Sequence, residues 1–189
     1  MENRFSETML VLLAQAGDRE ALNDLLKTVQ ATLYRYIFNL VGRHNVTEDI
    51  LQEVFIIIYR KLGWLEEPKF FRAWTYRIAT REAFKHLQRE KRWSDQILDE
   101  AMLESLPAPS DLSTCEFAET LSQLLDSVSP ASRAVLVLHY LQEMSIEEVA
   151  DVLSLAVGTV KSRLSYGLAC IRTAALERGL MGDCHLNKK

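Results

Sequence analysis

The sequence predicts an all-α chain: two small helical domains joined by an acidic flexible linker, the second a helix-turn-helix. Three observations carry this expectation. Apolar residues recur at spacings of three and four along nearly every segment, the period of an amphipathic helix. Glycine and proline are scarce, seven and four among 189 residues, and no alternating strand pattern or hairpin signal appears. Charge is sharply partitioned. Residues 69–92 hold eight basic and two acidic side chains, whereas residues 95–126 hold eight acidic and no basic ones.

The elements follow in order. "SETMLVLLAQAGD" reads as a short helix ended by Gly17, and Asp18 can cap the next. That helix carries Leu22, Leu25, Leu26, Val29, Leu33, Ile37 and Leu40 on one side and stops at Gly42. Asn45 or Thr47 can cap a third helix, "EDILQEVFIIIYRKL", with Asn45 and Glu48 spaced as a capping box. Gly63 is expected to stop it, and Pro68 sits where a new helix can begin. The fourth helix is expected over about 70–92. From 94 to 114 the periodicity weakens around "LPAPSD", which marks the linker. A second helical unit follows in "FAETLSQLLDSV", "PASRAVLVLHYLQ", "SIEEVADVL" and "AVGTVKSRLSYGLACIRTAAL". The expected organisation is therefore 1–93, linker 94–114, 115–180, and a tail 181–189.

Composition excludes several classes. Apolar runs such as residues 54–59 are far shorter than the ~20 residues a membrane span needs. "MENRFSETML" lacks the basic start and apolar block of a signal peptide, so the expectation is a cytoplasmic chain with no membrane insertion. Three separated cysteines do not form a disulfide framework. Cys184 and His185 are adjacent metal-ligand types without partners and read as part of a solvated tail, since structural sites usually supply four ligands. No catalytic triad, carboxylate pair or metal cluster is visible. The chain is expected to be no enzyme and to need no cofactor.

"VGTVKSRLSYG" at 157–167 combines small polar and basic residues with valine and leucine. A nucleotide-phosphate loop would need glycine directly before Lys161 and a strand leading in; Val160 and helical surroundings exclude it. Helical winding instead places Val157, Val160, Leu164, Leu168 and Ile171 on one face. Thr159, Lys161, Ser162, Ser165 and Tyr166 turn outward, with Arg163 at the flank. Ser145 and Glu148 make a capping box for the preceding helix, and a short break at Ser154-Leu155 separates the two. Two such helices across a tight turn form the helix-turn-helix, whose second helix enters the major groove N-terminal end first. Gly158 and Thr159 permit close approach, Lys161 and Arg163 can reach phosphates or guanine edges, and Ser162 and Ser165 can bond either.

The helix over 70–92 carries a second candidate surface. Phe71, Trp74 and Ile78 share one face, and Tyr76, Ala79, Ala83 and Leu87 another. Between them run Arg77, Arg81, Phe84, Gln88 and Lys91, spaced four, three, four, three. Basic groups interleaved with a ring suit a nucleic-acid strand, guanidinium on phosphate and ring on base.

Three segments in register, "TEDILQEVFIIIYRKL", "FRAWTYRIATREAFKHLQREKR" and "SIEEVADVLSLAVGTVKSRL", resemble a bacterial sigma factor of the extracytoplasmic-function group of the sigma-70 family. The resemblance covers about 14–171. It implies a subunit that joins core RNA polymerase and promoter DNA, doing no chemistry itself. Glu48, Asp49, Gln52, Glu53 and Phe55 match the helix that docks on the polymerase clamp. Gly63, Trp64, Lys69 and Phe70 fall in the loop and helix start that capture a base flipped from the −10 element, a step costing a few kcal/mol. Lys161 and Arg163 fall on the helix that reads the −35 duplex, and an anti-sigma partner is implied. The chain departs from the pattern in two places. Arg81 stands where asparagine is usual, and Ser165, Tyr166, Gly167 and Leu168 stand where a histidine and arginines commonly follow. The alternatives are a dimeric operator-binding regulator and a protein-binding helical adaptor. The basic-aromatic stripe disfavours the first, which gives it no use.

Overall fold

The computed structural model describes residues 6–97 and 116–180. Among these residues there are eight α-helices and no strand. The first unit comprises α1 (Glu7–Gln15), α2 (Arg19–Val41), α3 (His44–Lys61) and α4 (Phe71–Ile97). The second comprises α5 (Glu116–Asp126), α6 (Pro130–Leu136), α7 (Ile146–Leu153) and α8 (Val157–Glu177). Most of the stretch read as linker lies outside the described residues, and α4 runs on to Ile97 rather than ending near residue 92.

Helix ends follow local chemistry. The Asp18 carboxylate accepts from the amides of Glu20 and Ala21, satisfying donors that the first turn of α2 leaves free. Gly42 closes α2 at φ 71, a left-handed conformation that glycine adopts without penalty. The start of α3 differs from expectation. Arg43 occupies the cap position with no side-chain bond, and neither Asn45 nor Thr47 caps. Thr47 is instead fully buried within the helix and donates its hydroxyl to the Arg43 carbonyl at 2.8 Å. Burying Thr47 and Ile50 on one side requires the helix to begin earlier than the polar residues suggest. Gly63 is also not a left-handed stop: the chain continues through a 3-10 turn at Leu62–Trp64 and a second at Pro68–Phe70 before α4.

The centre of the first unit is α2, which packs on α1, α3 and α4. Leu25, Val29, Leu33, Ile37 and Leu40 are buried as their spacing predicts, and Ala21 and Tyr36 join them. Burying each large apolar side chain contributes about 1.5–3 kcal/mol. Tyr36 meets Tyr76 of α4 edge-on, ring centroids 5.2 Å apart. Its hydroxyl lies 2.6 Å from the Thr80 hydroxyl. Thr80 gives its single proton to the Tyr76 carbonyl, so Tyr36 is the donor between the two. The buried phenol therefore has a partner, without which its burial would be costly.

In the second unit, Ser145 and Glu148 form the expected capping box. Ser154 occupies the turn between α7 and α8 at φ 54, ψ 48, a left-handed geometry. The buried side of α8 departs from expectation. Val160 and Leu164 face the core, but Val157 and Leu168 are exposed, and Gly167, Ala174 and Ala175 are buried in their place. The reason is a close approach. A side chain at Gly167 would place its Cβ 2.7 Å from Leu136 Cδ1, so any larger residue would have to displace that leucine for α8 to lie this near α6.

Candidate nucleic-acid interface

Along α3 the residues sort cleanly. Ile50, Leu51, Val54 and Ile58 pack inward, while Glu48, Asp49, Gln52 and Glu53 are exposed. Phe55 lies in line with Glu48 and Gln52 at spacings of three and four, half-buried against the core. Ile56, 49% exposed, adds an apolar spot between the polar groups. Sequence reading missed the other wall of this surface. A groove of about 390 Å³ separates α3 from α4, with Asp49, Gln52 and Glu53 on one side and Lys85, His86 and Arg89 on the other. Lys85 is paired with Glu82 at 2.7 Å, and Arg43 and His86 both meet Glu90. Burial disfavours ionised Glu90, but the bond from Arg43 and the charges around it outweigh that and hold its pKa below the usual value. The signal for this wall was present in the spacing of Glu82, Lys85, His86 and Arg89, each three or four positions from another along one face of α4.

Between α3 and α4 the two 3-10 turns present aromatic rings. Trp64 is 77% exposed and Phe70 53%, unusual for rings of this size and well suited to stacking on an unpaired base. Lys61 Nζ lies 5.9 Å from the Trp64 ring centre and Lys69 Nζ 5.0 Å from that of Phe70. Gln15 of α1 braces the loop, its amide nitrogen donating to the carbonyls of Leu62 and Leu65 at 2.9 and 2.7 Å. Gly63 has open space around it, which leaves room for a base beside Trp64.

Along α4, Arg77, Arg81, Gln88 and Lys91 are exposed and Phe84 is half-buried. The structure divides this stripe. Arg77, Arg81 and Phe84 face the second helical unit across a cleft, with Ser154 and Arg163 opposite, while Gln88 and Lys91 lie outside that cleft. Among the described residues, Arg81 and Arg163 have no carboxylate within ion-pair distance, so their charge is available to an anion.

The second helix of the helix-turn-helix, α8, leads with Val157, Gly158 and Thr159. Ala156 at its cap position makes no side-chain bond, and nothing stands within 4 Å of a Cβ at Gly158. The first amides of the helix are therefore not capped by a side chain, the arrangement that favours a phosphate. Lys161, Ser162, Ser165 and Tyr166 are exposed and Thr159 is half-exposed on the side away from Val160 and Leu164, with the half-exposed Arg163 at the flank, on the wall of the cleft. Ser162 gives its proton to the Thr159 carbonyl at 3.0 Å, which leaves its oxygen free to accept from a base. No group of three or more metal-ligating side chains occurs among the described residues, and Cys184-His185 lies outside them. No helix among the described residues is long and apolar enough to cross a membrane.

Comparison with known proteins identifies the family. Residues 25–93 match the family described as Sigma-70 region 2, and residues 118–171 the family described as Sigma-70, region 4. The chain is 29% identical over 169 residues to the ECF RNA polymerase sigma factor SigW of Bacillus subtilis, covering 82% of this chain and 89% of SigW. It is 30% identical over 175 residues to the ECF RNA polymerase sigma-E factor of Escherichia coli K12, covering 87% and 91%. Its fold is similar to that of CnrH, solved in complex with the cytosolic domain of CnrY, at a TM-score of 0.67 and 23% identity, covering 91% of this chain and 97% of that one. It is likewise similar to RpoE of Bartonella quintana, solved with the anti-sigma factor NepR, at 0.64 and 23%, covering 80% and 94%. With the acidic face of α3, the braced aromatic loop and the helix-turn-helix in one order along the sequence, the chain belongs to the extracytoplasmic-function sigma factors of the sigma-70 family.

Proposed function

We propose a residue-level division of labour for this RNA polymerase sigma factor. Glu48, Asp49, Gln52 and Glu53, with Phe55 and Ile56 beside them, dock on core RNA polymerase. Trp64 and Phe70 stack on a base extruded from the −10 element, while Gly63 admits it and Lys69 holds its phosphate. Arg77, Arg81, Phe84, Gln88 and Lys91 track the unpaired strand. Gly158, Thr159, Lys161, Ser162, Arg163, Ser165 and Tyr166 read the −35 duplex in the major groove. The protein works in the cytoplasm as a non-enzymatic subunit, since the polymerase forms the bonds. An anti-sigma protein is its expected regulator, a reading supported by the partners solved with CnrH and with RpoE.

The observation that carries the assignment is the exposure of two large rings, Trp64 and Phe70, on a loop held by Gln15 and flanked by lysines. A solvated helical hairpin has no use for them. The test is transcription by purified core RNA polymerase on a template library, with and without the protein. New starts that share paired upstream elements are expected only with the protein. Asp49→Lys with Glu53→Lys should abolish polymerase binding while leaving the fold intact; undiminished binding by the folded double variant removes those carboxylates from the docking face. An operator-binding regulator would instead give no new starts and bind duplex DNA as a dimer.

A further inference from the structure

The groove between α3 and α4 holds charges of both signs that do not neutralise each other. Its α3 wall carries Asp49 and Glu53 and its α4 wall Lys85 and Arg89, in a space of about 390 Å³. Lys85 already serves Glu82 on its own helix, at 2.7 Å. Among the described residues, Arg89 has no carboxylate within ion-pair distance, and neither Asp49 nor Glu53 has a cation. Opposite charges held apart across open water attract each other only weakly, because solvent and salt screen them. Nor can the walls close. The inner faces of α3 and α4 are packed together, and Arg43 at the start of α3 is paired with Glu90 of α4. The gap is therefore set by the fold, and its unpaired charges remain available to a third party.

The chemistry of the walls selects the occupant. A nucleic-acid strand does not fit, since a phosphate drawn to Arg89 would meet the carboxylates of Asp49 and Glu53 opposite. The winding of α4 agrees. At about 100° per residue, Arg89 lies roughly 80° and His86 roughly 140° round the helix from Arg81. The groove is thus a different face from the one that carries Arg77, Arg81 and Phe84. A partner of one sign only would be repelled by one wall or the other. What fits is a protein helix with a cation on one flank and a carboxylate on the other. An apolar side chain between them would meet Ile56, which lines the groove and is 49% exposed.

We propose that core RNA polymerase docks into this groove rather than on α3 alone, a polymerase helix setting its cation against Asp49 and Glu53 and its carboxylate against Arg89. The inference rests on the docking role assigned above to the carboxylates of α3, and its new element is the contribution of α4 through Arg89. That contribution fixes direction. An acidic row by itself accepts a basic helix either way round. With a cation on the opposite wall, a helix turned end for end would bring its carboxylate to Asp49 and Glu53 and its cation to Arg89, and like charges so placed exclude the wrong register. One helix, α4, then serves both the polymerase and the promoter strand, on separate faces.

The test measures equilibrium binding of the full chain to purified core RNA polymerase in the absence of DNA, so that no promoter contact contributes. Arg89→Glu should weaken binding by roughly five- to tenfold at low salt, and by less as salt rises. Arg89→Lys should keep most of the affinity. Lys27→Glu, the same change of charge at an exposed site on α2, should leave binding unchanged. Arg89 is exposed, so its variants should melt like wild type. The decisive variant exchanges the walls, Glu53→Lys with Arg89→Glu. Where each residue touches the polymerase, the double variant binds no better than the weaker single one. Where the two matter only through each other, the exchange restores binding and the proposal falls. It falls also if Arg89→Glu binds like wild type, or if sedimentation shows the groove filled by a second copy of the chain, in a dimer that Arg89→Glu dissolves. Glu53→Lys alone separates the two readings. Loss there with none at Arg89 removes α4 and leaves docking on α3 standing; no loss at either removes the docking role itself.

Discussion

Gly167 offers a prediction whose sign is set by packing against propensity. In an exposed helix interior, glycine to alanine is stabilising by about 1 kcal/mol. At Gly167 the added Cβ would lie 2.7 Å from Leu136 Cδ1, 3.2 Å from its Cγ and 3.5 Å from Val128 Cγ1. Carbon atoms ordinarily rest about 3.5–4.0 Å apart. Leu136 and Val128 are 3% and 2% exposed, so the leucine has little space into which to turn. Overpacking of this kind costs about 1–3 kcal/mol, which outweighs the propensity gain. Gly167→Ala should therefore destabilise by about 1 kcal/mol, lowering Tm by roughly 2–4 °C in a chain of this size. Thermal and urea melts followed by circular dichroism measure it, with Gly158→Ala as the control in the same helix, where nothing crowds the new methyl group. Combining Gly167→Ala with Leu136→Ala should cost at least about 1 kcal/mol less than the sum of the two, because the new methyl fills part of the space the leucine leaves. If Gly167→Ala raises Tm as the control does, the close approach of α6 and α8 is not what requires glycine.

Further outcomes follow from the same geometry. Ser154 holds φ 54 without being glycine, a conformation costing about 1–2 kcal/mol for an ordinary residue. Ser154→Gly should raise Tm by a few degrees after the entropic loss of glycine is counted, and a fall in Tm would show that the serine side chain holds the turn. Lys161→Ala should weaken duplex binding and reduce the slope of log K against log salt by about 0.9, one phosphate contact; an unchanged slope removes it from the backbone. Burial raises the phenol pKa of both Tyr36 and Tyr76 above the ordinary 10.0. Both phenols then favour the folded state below pH ~10, where the unfolded chain is also protonated. That contribution is lost as pH rises through the folded-state values, because the unfolded chain releases these protons first. Alkaline titration should thus show helix loss coinciding with tyrosinate formation, and ionisation of both tyrosines without unfolding would refute the burial argument.

Much of the fold was legible because local chemistry and packing agreed. Asp18, Ser145 and Glu148 cap helices with their side chains and Gly42 ends one through its backbone, each where its chemistry says it should. The stripe from Leu25 to Leu40 is buried as its spacing requires. Reading failed where two elements negotiated. The start of α3 was placed by polar residues, but burial of Thr47 decided it, a contest between local capping and tertiary packing. The inner face of α8 was assigned by counting large apolar residues, which overlooked that a glycine can be the most buried position where helices cross closely. The site was more legible than its surroundings. The residues proposed for docking, stacking and groove reading were visible in one dimension, and the structure leaves most of them exposed. That the basic residues of α4 face the acidic ones of α3 was not visible, since spacing along one helix does not say which neighbour it meets.

The brace at Gln15 has a consequence for anyone exchanging parts between relatives. The region that matches the family begins at residue 25, yet the loop bearing Trp64 is tied by both amide protons of a side chain ten positions upstream of that boundary. A chimaera cut at residue 25 would transplant every residue of the loop proposed to contact a base and leave its anchor behind. The Leu62 and Leu65 carbonyls would each lose a hydrogen bond, and Trp64 would stand on a platform no longer fixed. Promoter preference transferred in that way should arrive blurred, and sharpen again when α1 travels with it.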